Sequence, residues 1–207
     1  MLIKNAWCTW LLAVITVPAL PAHAPGPAAT GKVWVINQSS SLCVNGSTNI
    51  NKFACEIPDY DHTDTLTLSK AKGSKEILLS GCINLKIQSF DCHNSIMTHD
   101  LRNTLKEKLF PRMRINFLTL SELPELTLTP KPITGFVNIE LAGVSKRFEV
   151  NYQASVDEKK CIHLLGTRDV NFSDFNLIAP RKLGGMIKTN DKLSVQFHLK
   201  ITALDNL

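Results

Sequence analysis

Ser69-Lys70-Ala71-Lys72 has the S-x-x-K spacing in which a lysine can relieve a nucleophilic serine of its proton. It sits in a hydrophilic loop and lacks the companion motifs of the serine acylases, so it reads as a solvated hairpin tip. Asp59-Tyr-Asp-His-Thr-Asp64 offers three carboxylates and an imidazole within six residues. A calcium loop of that kind needs glycine at its sixth position and glutamate at its twelfth. Here those positions are Asp64 and Lys70. His93 and His99 could meet beside a helix start, but their separation matches no metal-ligand spacing. The chain has no GxSxG elbow, no phosphate-binding P-loop and no GxGxxG. We therefore expect no catalytic residue, no metal, no cofactor and no enzymatic activity.

Thiol chemistry is the next resource. Cys8 lies in an N-terminal apolar run, and Cys43, Cys55, Cys82, Cys92 and Cys161 lie beyond it. No C-x-x-C occurs, which argues against a zinc ribbon or a thioredoxin-type site. Five is odd, so at least one thiol stays outside any intramolecular pair. Cys55 and Cys92 both fall at strand ends near loops, and we expect a disulfide between them. Other pairings of Cys43, Cys82 and Cys161 stay open.

The compartment follows from the N-terminus. Met1–Ala24 carries one cation (Lys4), an apolar run from Ala6 to Val17 and a small-x-small end at Ala22-His23-Ala24. That is the layout of a secretory signal peptide. Pro25 would follow the cut, so cleavage is expected at Ala24 or a few residues later. The run is too short, and too soon interrupted by Pro18 and Pro21, for a stable membrane span. Residues 25–31 form a Pro/Gly/Ala linker. The expected address is the periplasm or beyond it, where disulfides persist. The whole chain of 207 residues carries a net charge of +5, which becomes +4 without residues 1–24. No dense basic run accompanies it, so nucleic acid is not an expected partner.

The elements that would position any site are strands. From residue 32 onward nearly every segment alternates in polarity, the mark of a strand with one dry and one wet face. Residues 112–120, 134–143, 146–154 and 191–201 are the clearest cases. Asn45-Gly46 is expected to bend the pair of strands over 41–58, and Ala142–Ser145 to form a hairpin loop. One stretch has helical spacing. Over about 98–110, Leu101, Leu105 and Leu109 recur every four residues, with Thr98 as cap and Arg102 turned toward a rim. The fold class is all-β with one short helix capping an end. Alternation alone fits a sandwich or a closed barrel. If the sheet closes, Val137, Ile139, Phe148, Val150, Tyr152, Val195 and Phe197 share its interior.

The segments Trp34 with "INQSSSLCVNGSTN", "SIMTHDLRNTLKEKLFPRMRINF", "ITGFVNIELAGVSKRFEV" and "FSDFNLIAP…DKLSVQFHL" occur in that order. In order and spacing the chain resembles the YceI-like family of exported bacterial proteins that bind lipid or polyisoprenoid, closest in form to Bacteroidetes-type members. The resemblance spans residues 32–203. It implies an eight-stranded antiparallel, lipocalin-like barrel around an apolar ligand, an isoprenoid or fatty-acyl lipid. It implies that Phe172, Phe175 and Leu177 wall a barrel end and that Arg181 and Lys182, together with Arg102 at the rim, meet an anionic head group. Gly184 and Gly185 would turn the backbone at positive φ. The family's Asp-Phe-Gly-Leu reads Asp174-Phe175-Asn176-Leu177 here. A barrel filled by its own side chains, without a lipid, is the competing reading. A homodimer is left open.

Overall fold

The computed structural model describes residues 32–70 and 73–204. The signal peptide and linker expected over 1–31 lie outside the described residues, as does Lys72 of the S-x-x-K stretch.

Alternation becomes burial directly. In β9 (Val144–Val156), Phe148, Val150, Tyr152 and Ala154 are buried while Glu149, Asn151 and Gln153 are exposed. β8 (Lys131–Leu141) precedes it across a two-residue turn, with Leu141 opposite Val144. Ala142 (φ 50°) and Gly143 (φ 81°) both sit in the left-handed region that such a tight hairpin requires. The loop is thus two residues shorter than the alternation suggests. β7 (Arg112–Leu120) pairs with β8, and β10 (Ile162–Asn171) pairs with β9, all antiparallel.

The sheet closes into an eight-stranded barrel. β13 (Lys192–Leu204) runs beside β10 on one edge. Its other edge is covered first by β2 (Ser41–Ser47) and then by β1 (Lys32–Ile36). β1 and β2 behave as one strand with a step between them. At that step the Asn37 N–H donates to the Lys200 carbonyl at 2.8 Å, and Ser40 Oγ accepts from the Lys200 N–H at 3.0 Å. β3 (Lys52–Ile57) and β4 (Asp64–Lys70) form the second broken strand, opposite β2 and β1 in turn. β5 (Ile77–Ser80) and β6 (Cys82–Lys86) form the third and return the ring to β7. The bend expected at Asn45-Gly46 is absent. β2 runs through to Ser47, and the chain turns at 48–51. Gly46 serves packing instead: a Cβ there would lie 2.3 Å from the Phe53 ring.

The lower half of the barrel is solid. Trp34, Ile36, Leu66, Leu120, Leu164 and Ile201 are each at most 3% exposed. The upper half differs because the wall there is incomplete in two places. β3 pairs with β2 but has no ladder to β6, and the chain from 87 to 111 fills the gap. The ladder between β9 and β10 stops at Asn151–Thr167, so residues 144–150 and 168–171 diverge.

The helix α1 (Ser95–Thr104) stands in the first gap. It starts earlier than Thr98 because the Asn94 side chain accepts from the Met97 N–H at 3.0 Å and caps it. Thr98 Oγ1 accepts from the Cys92 N–H instead. The expected extent of about 98–110 is therefore corrected to 95–104. Leu101 and Leu105 are buried, but Leu109 is 75% exposed. Lys106 takes a φ of 57°, and that residue carries the following turn off the helical stripe.

Candidate functional site

Between the two gaps the barrel interior holds a cavity of about 70 Å³. Every side chain around it is apolar except Arg168. Of the residues that alternation assigns to the interior, Val137, Ile139, Val150, Val195 and Phe197 line it. Phe175, on the short 3-10 turn after β10, lines it as well, and Leu101 of α1 and Leu105 at its C-cap form its roof. Tyr152 and Phe148 are buried nearby without lining the void. Tyr152 packs edge-on against Phe197, ring centroids 5.7 Å apart. Its hydroxyl is buried without a hydrogen-bond partner, and burial pushes its pKa well above the ordinary tyrosine value. Gly166 makes room for this pair, because a Cβ there would lie 2.2 Å from the Phe197 ring.

The second gap is plugged by the 172–175 turn. Phe175 packs on Phe148 at 5.8 Å between centroids, and Asp174 pairs with Lys146 across the divergent strands. Asp174 also accepts from the Asn171 N–H at 2.8 Å, closing a capping box. The Lys146 ammonium and that N–H hold its carboxyl below the usual aspartate range. Asn176 follows with φ 53°, a left-handed conformation in which asparagine is the best non-glycine substitute. That accounts for asparagine where the family's pattern has glycine. Arg168 stands at this mouth, its guanidinium 5.8 Å from the Phe148 ring centre. Its place on β10 has the same parity as Ile162, Leu164, Gly166 and Val170, but the side chain itself is exposed, a cation where the inward parity reaches solvent. That signal was present in the sequence, but glycine and threonine beside it blur the alternation.

A second apolar hollow, about 320 Å³, lies outside the wall. It is bounded by the 48–53 turn, one side of α1 and the 180–189 segment, and it shares Leu101 with the inner cavity. Phe172 lines this outer hollow, not the inner one. Leu177 is buried beside neither. The 180–189 segment is held to the 48–51 turn by Asn49, whose side chain donates to the Met186 carbonyl and accepts from the Lys188 N–H, both at 2.9 Å. Gly184 and Gly185 take positive φ of 65° and 95°, as the turn requires. Ile50 and Ile96 on this hollow, and Leu183 and Met186 on the adjoining 180–189 segment, are each at least 66% exposed.

The three cations assigned to a head group are not brought together. Lys182 lines the outer hollow and pairs with Asp100 at 2.5 Å. Arg181 is exposed on the two-stranded ribbon of residues 181–188. Arg102 donates to the Phe90 carbonyl at 2.8 Å, and its Nε is buried without a partner. Cys55 and Cys92 form the expected disulfide, joining β3 to the chain that leads into α1. Beside it, Glu56 and Asp91 exchange backbone hydrogen bonds of 2.7 and 2.8 Å. Cys43, Cys82 and Cys161 are free and half-buried. In the acidic loop, Asp61 pairs with Lys86 at 2.5 Å, and Asp64 accepts from the Tyr60 hydroxyl. The two carboxylates thus serve different partners. His93 pairs with Glu56 at 3.0 Å.

No protein-family model matches the sequence, and no curated protein matches it. Solved structures do. BcnA of Burkholderia cenocepacia superposes with a TM-score of 0.58 at 14% identity, over 81% of this chain and 99% of that one. A polyisoprenoid-binding domain from Saccharophagus degradans, described as implicated in plant cell wall breakdown, reaches 0.56 at 10% identity, over 83% and 98%. The chain shares the fold of these two proteins. A Campylobacter jejuni YceI protein lies further off, with a TM-score of 0.45 at 14% identity over 93% of this chain and 94% of that one. In this barrel the cavity occupies only the upper half, under α1, and the lower half is closed by side chains. Among the described residues, no helix is long and apolar enough to cross a membrane.

Proposed function

We propose that the protein is an exported, non-enzymatic carrier or store of an amphiphilic lipid, an isoprenoid or acyl chain, held in the upper half of the barrel. The observation that carries this reading is the dry cavity with a single cation at its mouth. Each buried methylene contributes about 0.8 kcal/mol, so a chain needs little besides apolar wall. The cavity of about 70 Å³ is too small for a long chain. At about 10–15 Å³ per water-sized body it takes roughly five to seven such bodies. A longer chain therefore displaces Leu101 and continues into the outer hollow, where Phe172 would contact it. Arg168 is the head-group cation of this reading, with Arg181 and Lys182 further out. The apolar rim of Ile50, Ile96, Leu183 and Met186 supports loading from a membrane surface. The signal-peptide layout and the Cys55–Cys92 bond support a periplasmic or secreted location.

The filled lower half favours a second reading, a structural barrel without a lipid. Val150→Phe separates the two. Val150 lines the cavity, and the change adds about four carbons, which the void accepts but a dense core would not. Organic extraction and mass spectrometry should recover lipid from the parent protein and at least fivefold less from the variant, with melting within about 2 °C of the parent. A parent without lipid, together with a variant destabilised by the roughly 1–3 kcal/mol of overpacking, refutes the carrier.

A further inference from the structure

We propose that Asp157, Cys161 and His163 form a binding site for a divalent cation of the zinc class on the outside of the barrel, remote from the lipid cavity. The oxygen, sulfur and nitrogen atoms that these residues offer all lie within 4.8 Å of one another. The three side chains sit on the turn between β9 and β10 and at the start of β10, half-buried.

The turn is built around the carboxylate. Asp157 Oδ1 accepts from the Lys159 N–H at 2.9 Å and the Cys161 N–H at 2.8 Å. Lys160 takes a φ of 62°, and the Asp157 N–H donates to the Cys161 carbonyl at 3.0 Å, which closes the turn. With Oδ1 committed to the backbone, Oδ2 is the oxygen turned to His163, 3.3 Å from its Nε2. Around a tetrahedral zinc ion, ligand bonds of about 2.0–2.3 Å place neighbouring ligand atoms roughly 3.3–3.6 Å apart. The carboxylate and imidazole already stand at that spacing. The Cys161 thiol, within 4.8 Å of both, completes the set by closing in.

His163 also has the outer partner that an imidazole ligand needs. Its Nδ1 lies 2.8 Å from Nε2 of His198 on β13. With Nδ1–H donated to His198, the Nε2 lone pair faces Asp157 and Cys161, where a cation can take it. Oxygen, nitrogen and sulfur donors together suit a borderline-soft divalent ion and disfavour magnesium or calcium. Three protein donors leave a fourth position for water. On binding, the Cys161 proton passes to solvent and the thiolate becomes the ligand.

Cobalt(II) is the probe, added to the purified protein in a Cys43→Ser/Cys82→Ser background so that Cys161 is the one free thiol of the barrel domain. The expected result is a thiolate-to-cobalt charge-transfer band with tetrahedral d–d bands, displaced by zinc(II). Cys161→Ser should abolish the charge-transfer band. His163→Gln should weaken binding at least tenfold. His198→Gln, which removes a positioning residue, should keep the band and weaken binding about 10–100-fold. Circular dichroism and melting check that each variant is folded. No charge-transfer band, a band that survives Cys161→Ser, or binding insensitive to His163→Gln would overturn the site and leave adventitious surface binding only.

Discussion

Replacing Cys55 and Cys92 together by alanine tests what holds α1 over the cavity. The bond closes a stretch of 37 residues that includes the acidic loop, β4, β5 and β6. In the chain-entropy model, cross-linking a loop of that length removes about 13 cal/mol/K from the unfolded state, or about 4 kcal/mol at 25 °C. Both residues are buried, at 1% and 6% exposure, so alanine avoids leaving an unsatisfied hydroxyl. For a domain of this size each kcal/mol moves Tm by about 2–4 °C. The double variant should therefore melt roughly 8–16 °C below the parent in scanning calorimetry. Cys43→Ala, a half-buried thiol without a bond, serves as the control and should shift Tm by under about 3 °C. The bond and the Glu56–Asp91 backbone pair are the covalent and hydrogen-bonded ties between β3 and the lead into α1. Amides of residues 95–104 should accordingly exchange faster in the double variant than those of β9. A fall in Tm of less than about 3 °C, with unchanged exchange in α1, would show that packing by Leu101 and Leu105 holds the helix without the bond.

Two further substitutions test the roof and the plug. Leu105→Asp places a carboxylate against the apolar cavity and should cost at least about 3 kcal/mol, whereas Leu109→Asp, on an exposed side chain, should stay within about 0.5 kcal/mol in denaturant titration. Equal effects would contradict the burial of Leu105 in the cavity roof. Asp174→Asn should cost about 1 kcal/mol at neutral pH by weakening the capping box and the Lys146 pair. Because the folded-state pKa of Asp174 is lowered, its contribution is present above the unfolded value and is lost as pH falls through the folded one. The gap between parent and variant should shrink between about pH 5 and pH 2, and a gap that widens with acid would reverse the assignment.

Alternation in sequence specified which side of each strand is dry, because side chains on a strand point to opposite faces whatever the strand packs against. It therefore placed Phe148, Val150 and Tyr152 inside before the number of sheets was known. The order of motifs supplied the barrel. The Cys55–Cys92 pair forms as expected, but not for the expected reason: Cys55 lies inside β3 and Cys92 outside any strand, whereas the free Cys82 opens β6. The helix was legible as a stripe but not in extent. Its start depends on the Asn94 side chain reaching the Met97 N–H, and its end on Lys106 turning left-handed.

Local sequence could not decide whether the barrel is full or hollow. Trp34 and Val150 are both inward apolar residues; one sits in solid packing, and the other lines a void. The difference arises where ladders stop, between β3 and β6 and between β9 and β10, and a ladder's end is a property of two strands far apart in the chain. The same holds for Arg168, which alternation alone counts as an error on a dry face, and for the approach of His163 to His198 across 35 residues. Periodicity determined the faces of this protein; closure of the sheet determined the volume they enclose and which distant side chains meet.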